Sequence, residues 1–294
     1  MTSDIPTRPL GRTGLDIPIL GFGTGEGGMG LRNRRAINLN KIAIDRGVSF
    51  FDTAPGYKNA QAQLGRILKK STDRSSIILA SKAATPNGRE LAKTFESNLR
   101  TLKIDHLDIA YIHSIGSYDA DEILDPGGAL EALIDLKKRG LARYVGFTAH
   151  NQANKCVRIL KSTTGIDVIM LAMNPIETHT YGFELSVLPL AQTNGVGVIA
   201  MKVYGGAPEM VYKTPVPSAL EAREKGDHEL AFRYGLSLPG VSSVVIGMYM
   251  ERELIKNIEY VTRFRPLTND EKLDLLEWGK SAAPEWGERY GPVE

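Results

Sequence analysis

The sequence contains one cysteine, Cys156. A single thiol closes no intramolecular disulfide and builds no cysteine-ligated zinc or iron–sulfur centre. Nowhere does an apolar run reach the roughly 18 residues of a membrane span. Neither sign of charge is in excess: 36 Lys and Arg against 34 Asp and Glu leave a net charge of +2. Such a balance carries no electrostatic footprint for nucleic acid and no polybasic patch for a membrane surface. The opening stretch from Met1 to Pro6 lacks the basic and apolar regions of a secretory signal. These absences leave a cytoplasmic enzyme with a small-molecule partner as the expectation. No linker breaks the chain. Residues 1–294 read as one domain, with a core over about 7–262 and a tail over 263–294. Oligomeric state is not readable.

What is present is a rhythm. After a small cap at 7–18, two short strands around a Gly-containing turn, apolar strands alternate with amphipathic helices. The strands fall at 17–23, 48–51, 77–80, 107–112, 144–147, 168–173, 196–200 and 243–246. The helices between and after them fall at 33–46, 59–70, 88–102, 126–139, 151–161, 183–193, 227–237 and 252–262. Continuous apolar strands alternating with helices indicate a parallel sheet covered by helices. Eight such repeats in about 250 residues fit an α/β fold of the (β/α)8 barrel type, with an N-terminal hairpin cap. An open doubly wound sheet fits less well, because Gly23 to Gly28 is Gly-rich without the G-x-G-x-x-G spacing. That run reads as a loop approached closely by a ligand. Residues 268–279 read as an extra helix, and the tail from Pro284 to Glu294 as a segment able to fold back over the barrel.

In such a barrel, reactive groups sit at the C-terminal ends of strands. Asp52 ends the second strand, and Tyr57 follows it beyond Pro55-Gly56. Lys82 follows the third strand and His113 the fourth. Alone, each has a structural explanation, but three consecutive strand ends converge on one spot. A phenol is a poor proton donor–acceptor at neutral pH, and a neighbouring ammonium is expected to lower its pKa. A carboxylate keeps the lysine charged and oriented. A histidine can hydrogen-bond a substrate oxygen. This set moves a proton at a carbonyl or alcohol oxygen, and it complements hydride transfer by a nicotinamide.

Over roughly residues 7–260 the chain resembles the aldo-keto reductases. The resemblance rests on Leu10 to Leu15, Leu20 to Thr24, Phe51 to Ala54 with Tyr57, Leu64-Gly65, Ser81-Lys82, Leu102 to Asp108, Tyr111 to His113, Gly146 to Thr148 and Gly195 to Lys202. It implies a (β/α)8 barrel and NAD(P)-dependent carbonyl reduction or alcohol oxidation. It places the catalytic tetrad on Tyr57 as general acid/base, Asp52 and Lys82 as its tuners, and His113 as the positioner of the carbonyl.

The resemblance also implies cofactor contacts at Gly23, Thr24, Asp52, Thr148, Met170, Met201, Lys202, Gly247, Glu253 and Asn257. Here the chain departs from its relatives. Many carry Ser-Asn after the fifth strand and Gln at the end of the sixth, where this chain has Thr148-Ala149 and Met170. Met201 stands where an aromatic often stacks on the nicotinamide. The cofactor is NADPH or NADH. Glu253, four residues before Asn257, would repel a 2′-phosphate and favours NAD; Arg252 in its place would reverse that choice. Polar loops at 114–121 and 204–225 favour a hydroxylated substrate, such as a sugar or sugar derivative. Two alternatives stay open on the same barrel: a non-net-redox reaction on tightly held nicotinamide (oxidation, elimination, reduction), and a regulatory cofactor-binding subunit.

Overall fold

The computed structural model describes residues 5–68, 73–221 and 227–294. The first four residues, the end of the helix expected at 59–70 and the end of the loop expected at 204–225 lie outside the described residues. Strands β1 (Thr7–Pro9) and β2 (Asp16–Pro18) pair antiparallel as a hairpin. Strands β3 (Leu20–Gly23), β4 (Phe50–Asp52), β5 (Ile78–Ala83), β6 (Leu107–Ile112), β7 (Ala142–Ala149), β8 (Val168–Ala172), β9 (Gly197–Met201) and β10 (Val241–Gly247) follow. Each pairs in parallel with the next, and β10 closes onto β3. The result is an eight-stranded barrel.

Helices cover it: α1 (Gly25–Gly30), α2 (Asn33–Asp45), α3 (Ala60–Leu68), α4 (Gly88–Leu102), α5 (Ala120–Leu124), α6 (Ala129–Lys138), α7 (Ala153–Ser162), α8 (Phe183–Thr193), α9 (His228–Ser237), α10 (Glu251–Thr262) and α11 (Asn269–Trp286). Their starts follow local chemistry. Asn87 accepts a bond from the backbone of Glu90 at the start of α4, and Asp227 accepts one from Leu230 at the start of α9. Thr268 and Glu271 cap α11 reciprocally. Among the described residues, no helix is long and apolar enough to cross a membrane.

Side chains alternate along each barrel strand, so every second residue points inward. Phe50, Ala80, Ile109, Tyr111, Met170 and Ile199 belong to one cluster in the barrel interior. Phe51, Leu79, Ala110, Ile169 and Val198 belong to the larger layer between sheet and helices. The same period carries Asp52 inward after Phe50, Lys82 after Ala80 and His113 after Tyr111. Burying these two layers is the main stabilising term, at about 25 cal/mol per Å² of apolar surface.

The hairpin packs on the end of the barrel where the strands begin. Leu10 and Ile17 join the interior cluster. The Arg12 guanidinium donates to the carbonyls of Thr164, Ile166 and Asn194, and the Tyr144 hydroxyl donates to the Thr13 carbonyl. The apolar stretch 17–23 is therefore two elements, with Ile17-Pro18 in the hairpin and β3 in the barrel.

Two further features differ from the sequence expectation. The glycine-rich run after β3 is not a loop; it coils into α1. Four glycines oppose a helix by about 1 kcal/mol each, and packing overrides them. A Cβ at Gly28 would lie 2.4 Å from the Tyr57 carbonyl oxygen, so only glycine allows this approach. The last helix runs on through Pro284 to Trp286, beyond the expected end at 279. There the buried Trp286 indole donates to Glu177 Oε1 at 2.6 Å. The tail after it does turn back: Tyr290 stacks on Tyr181, its hydroxyl donates to the Gly205 carbonyl, and Gln152 donates to Pro292.

Candidate active site

At the opposite end of the barrel from the hairpin, the strand ends surround a cavity of about 770 Å³. Asp52, Tyr57 and His113 line it. Lys82 lies buried beside them. Its Nζ donates to Asp52 Oδ2 at 2.5 Å, to the Thr53 carbonyl at 3.1 Å and to the Tyr57 hydroxyl at 3.4 Å. The Tyr57 ring meets His113 edge-on, with centroids 6.0 Å apart. The four residues singled out in the sequence thus converge.

The electrostatics correct one expectation. The Lys82 ammonium was to lower the Tyr57 pKa; the phenol is instead held well above its ordinary value. Burial is the largest cause, followed by the charges of Asp52 and Glu26. Burial disfavours the phenolate, and the two carboxylates add to it while Asp52 offsets the charge of Lys82. Burial also raises Asp52 and lowers Lys82, each partner opposing the shift in the other. His113 is lowered far below the usual imidazole range by burial and the neighbouring cations Lys82 and Lys202. At neutral pH the site therefore presents a protonated phenol and a neutral imidazole.

Of the expected cofactor contacts, Gly23, Met170, Met201, Lys202, Gly247, Glu253 and Asn257 line the same cavity as Asp52. Thr24 and Thr148 are engaged inside the protein instead. The Thr24 hydroxyl donates to the Asp52 carbonyl at 2.9 Å, and Thr148 Oγ1 accepts from the Ser114 backbone at 2.8 Å. Both hold the strand-end loops. Glu253 is also occupied: its Oε2 accepts the backbone N–H groups of Tyr249 at 2.7 Å and Met250 at 3.3 Å. Through this oxygen it caps its own helix, while the residue still lines the cavity. Asn257 accepts from the Tyr204 hydroxyl at 2.6 Å and donates to the Glu253 carbonyl at 2.8 Å.

Several cavity residues were not assigned to the site by the sequence reading, among them Glu26, Tyr212, Lys256 and His150. Glu26 projects from α1 against Gly247, where a Cβ would lie 1.8 Å from its Oε2. Burial raises its pKa, and Lys202 opposes the rise. Tyr212 accepts from Lys202 Nζ at 2.8 Å. Burial alone would lower Lys202; Tyr212 and Glu26 outweigh it and raise it. Lys256 lines the cavity with Arg252, one turn apart on α10. His150, the residue after β7, faces it with Nδ1 at 3.0 Å from Ser114 Oγ. For Glu26 the only signal in the sequence was its place at a strand end, among glycines.

A model of the aldo/keto reductase family matches residues 19–210. L-galactose dehydrogenase of Arabidopsis thaliana is 28% identical over 300 residues, covering 91% of this chain and 92% of that protein. Pyridoxal 4-dehydrogenase of Microbacterium luteolum is 24% identical over 324 residues, covering 88% and 94%. Among solved structures, the holo form of an aldo-keto reductase from Bacillus halodurans superposes with a TM-score of 0.76 at 23% identity, covering 93% of this chain and 96% of that one. That likeness bears on the fold.

Proposed function

Because the chain belongs to the aldo/keto reductase family of NAD(P)-dependent oxidoreductases, we propose that it reduces the carbonyl group of a small hydroxylated substrate, sugar or sugar-derived, with Tyr57 as the proton donor. One observation carries this reading: the Tyr57 hydroxyl sits in the cavity with Lys82 behind it and His113 beside it. When bound, the nicotinamide supplies the hydride. Tyr57 gives its proton to the oxygen that hydride transfer leaves anionic. Its raised pKa keeps that proton in place until then. Lys82, held by Asp52 and the Thr53 carbonyl, stabilises the phenolate that forms. His113, neutral, donates a hydrogen bond to the carbonyl oxygen and orients it.

The cavity suits a dinucleotide. Its volume lies in the usual range for ligand sites. Met170 and Met201 offer apolar, polarisable surface where a nicotinamide ring can pack. Lys202 offers a cation for the pyrophosphate. With Glu253 committed to its cap, Arg252 and Lys256 are the charged groups of α10 free to meet a 2′-phosphate, and they support NADPH over NADH. The named activity of the plant relative, L-galactose dehydrogenase, supports a sugar-related substrate.

The test is a titration of purified protein with NADPH and NADH, followed by a panel of aldehydes, ketones and sugars monitored at the nicotinamide absorbance. Turnover with NADPH, lost in Tyr57→Phe by about 10²–10⁴-fold while cofactor binding persists, is the expected result. No turnover with any pair, together with no calorimetric binding of either nucleotide, overturns it.

A further inference from the structure

His150 stands in the reaction cavity without a role in proton transfer. It follows Ala149, the last residue of β7, and its ring centre lies 6.5 Å from that of His113. The two imidazoles are braced against each other through the backbone. Ser114, next to His113, adopts a left-handed conformation (φ 54). This lets its N–H donate to Thr148 Oγ1 at 2.8 Å while its hydroxyl meets His150 Nδ1 at 3.0 Å. On the other side, the Tyr290 ring lies 5.6 Å from that of His150, and its own hydroxyl is fixed on the Gly205 carbonyl. The imidazole is thus oriented by its neighbours, and Nε2 is left as the nitrogen for the cavity.

Burial and the charges of Lys202 and Lys82 take the His150 pKa down to about 3. The ring is neutral at any working pH, with one N–H and one acceptor nitrogen. If Ser114 donates to Nδ1, Nε2–H donates into the cavity. If Nδ1–H donates to Ser114, Nε2 accepts. A hydroxyl satisfies both tautomers, because it donates and accepts; a carbonyl satisfies only one. Two imidazoles with this separation can each place a hydrogen bond of about 3 Å on neighbouring oxygens of one small molecule.

We propose that His150 is a specificity-determining residue whose Nε2 hydrogen-bonds a hydroxyl on the carbon next to the carbonyl held at Tyr57 and His113, so that the substrates are α-hydroxy carbonyl compounds and the products vicinal diols. This rests on the reductase reading above and narrows it. A substrate without that hydroxyl leaves the Nε2 of His150 desolvated and unpaired, and binding is penalised in the transition state as well as in the ground state. An aromatic in place of His150 would fill the same wall and remove the demand.

The experiment is steady-state kinetics with NADPH on two aldehydes that differ only in the α-hydroxyl, 2-hydroxypropanal and propanal. Wild type, His150→Phe and His150→Gln are compared, with NADPH affinity measured for each. Wild type is expected to prefer 2-hydroxypropanal by about tenfold or more in kcat/KM. His150→Phe should abolish the preference by losing 2-hydroxypropanal activity while propanal activity stays within about threefold. His150→Gln, which keeps a donor and an acceptor, should restore part of it. A wild type indifferent to the hydroxyl overturns the proposal. So does a His150→Phe variant that loses both substrates equally with NADPH affinity intact, since that is the signature of a merely structural histidine. A wild type that binds no nucleotide and reduces neither aldehyde refutes the reductase reading itself, a different outcome from either.

Discussion

Replacing Glu177 by Gln should stabilise the protein, and increasingly so as the pH rises. Glu177 is 1% exposed. One carboxylate oxygen accepts the Trp286 indole, and the other is buried with no hydrogen-bond partner among the described residues. Burial raises its pKa from 4.5 to about 7, opposed by the Trp286 bond and Arg289. The folded protein therefore holds this proton more tightly than the unfolded chain. Stability from the group is complete below about pH 4.5 and is lost as the pH climbs through 7. Each tenfold difference in proton affinity between the two states is worth about 1.4 kcal/mol, so the whole loss is about 3 kcal/mol, with roughly 2–3 of it between pH 5 and pH 8. Gln keeps the oxygen that accepts from Trp286 and has no charge to desolvate. Urea unfolding of both proteins at pH 5, 6, 7 and 8 measures the difference. Glu184, raised to about 7 by the same cause, is present in both and keeps a residual slope in the variant. Stability differences that stay constant across the pH series would refute the argument.

Three other outcomes follow from the site. Lys82→Met should leave Asp52 buried and unpaired and lower stability by about 3–5 kcal/mol; adding Asp52→Asn should return much of that stability without activity, as read by parallel melts and assays. Glu253→Ala should cost about 1 kcal/mol as a lost helix cap and leave the NADPH-to-NADH ratio of KM values unchanged, whereas Arg252→Ala should raise the KM for NADPH selectively. Glu26→Gln removes a charge that holds the Tyr57 phenol up, so the alkaline fall of kcat/KM for carbonyl reduction should move to lower pH; an unmoved profile would show that Glu26 does not act on the phenol.

The barrel was legible because its signal is repetition: eight apolar strands alternating with amphipathic helices leave few other arrangements. The tetrad was legible for a related reason. Asp52, Lys82 and His113 follow three consecutive strands, and barrel closure brings consecutive strand ends to one spot. What stayed hidden depends on distant packing. Nothing local makes Gly25 to Gly30 helical; the close fit of Gly28 under Tyr57 does, and Glu26 came to the cavity with that helix. That Glu253 turns one oxygen onto its own backbone is decided by the turn at Tyr249 and Met250, which charge patterning does not reveal. The sign of the Tyr57 shift was missed because burial of the phenol, the largest cause, is set by packing, and because counting Lys82 without its bond to Asp52 counts only half of a pair. The last helix was expected to end at 279, yet Trp286, anchored on Glu177, carries it further.

The hairpin under the barrel has a consequence for traffic. With Leu10 and Ile17 corking one end, the cavity at the other end has no passage through the barrel, and a nucleotide and a carbonyl compound bound there as proposed would share one doorway at the rim. Visitors to a blind alley form a queue. With the nicotinamide seated against Met170 and Met201 as proposed, the nucleotide would enter first and leave last, and the product-inhibition pattern would record that order as a matter of plumbing rather than of chemistry.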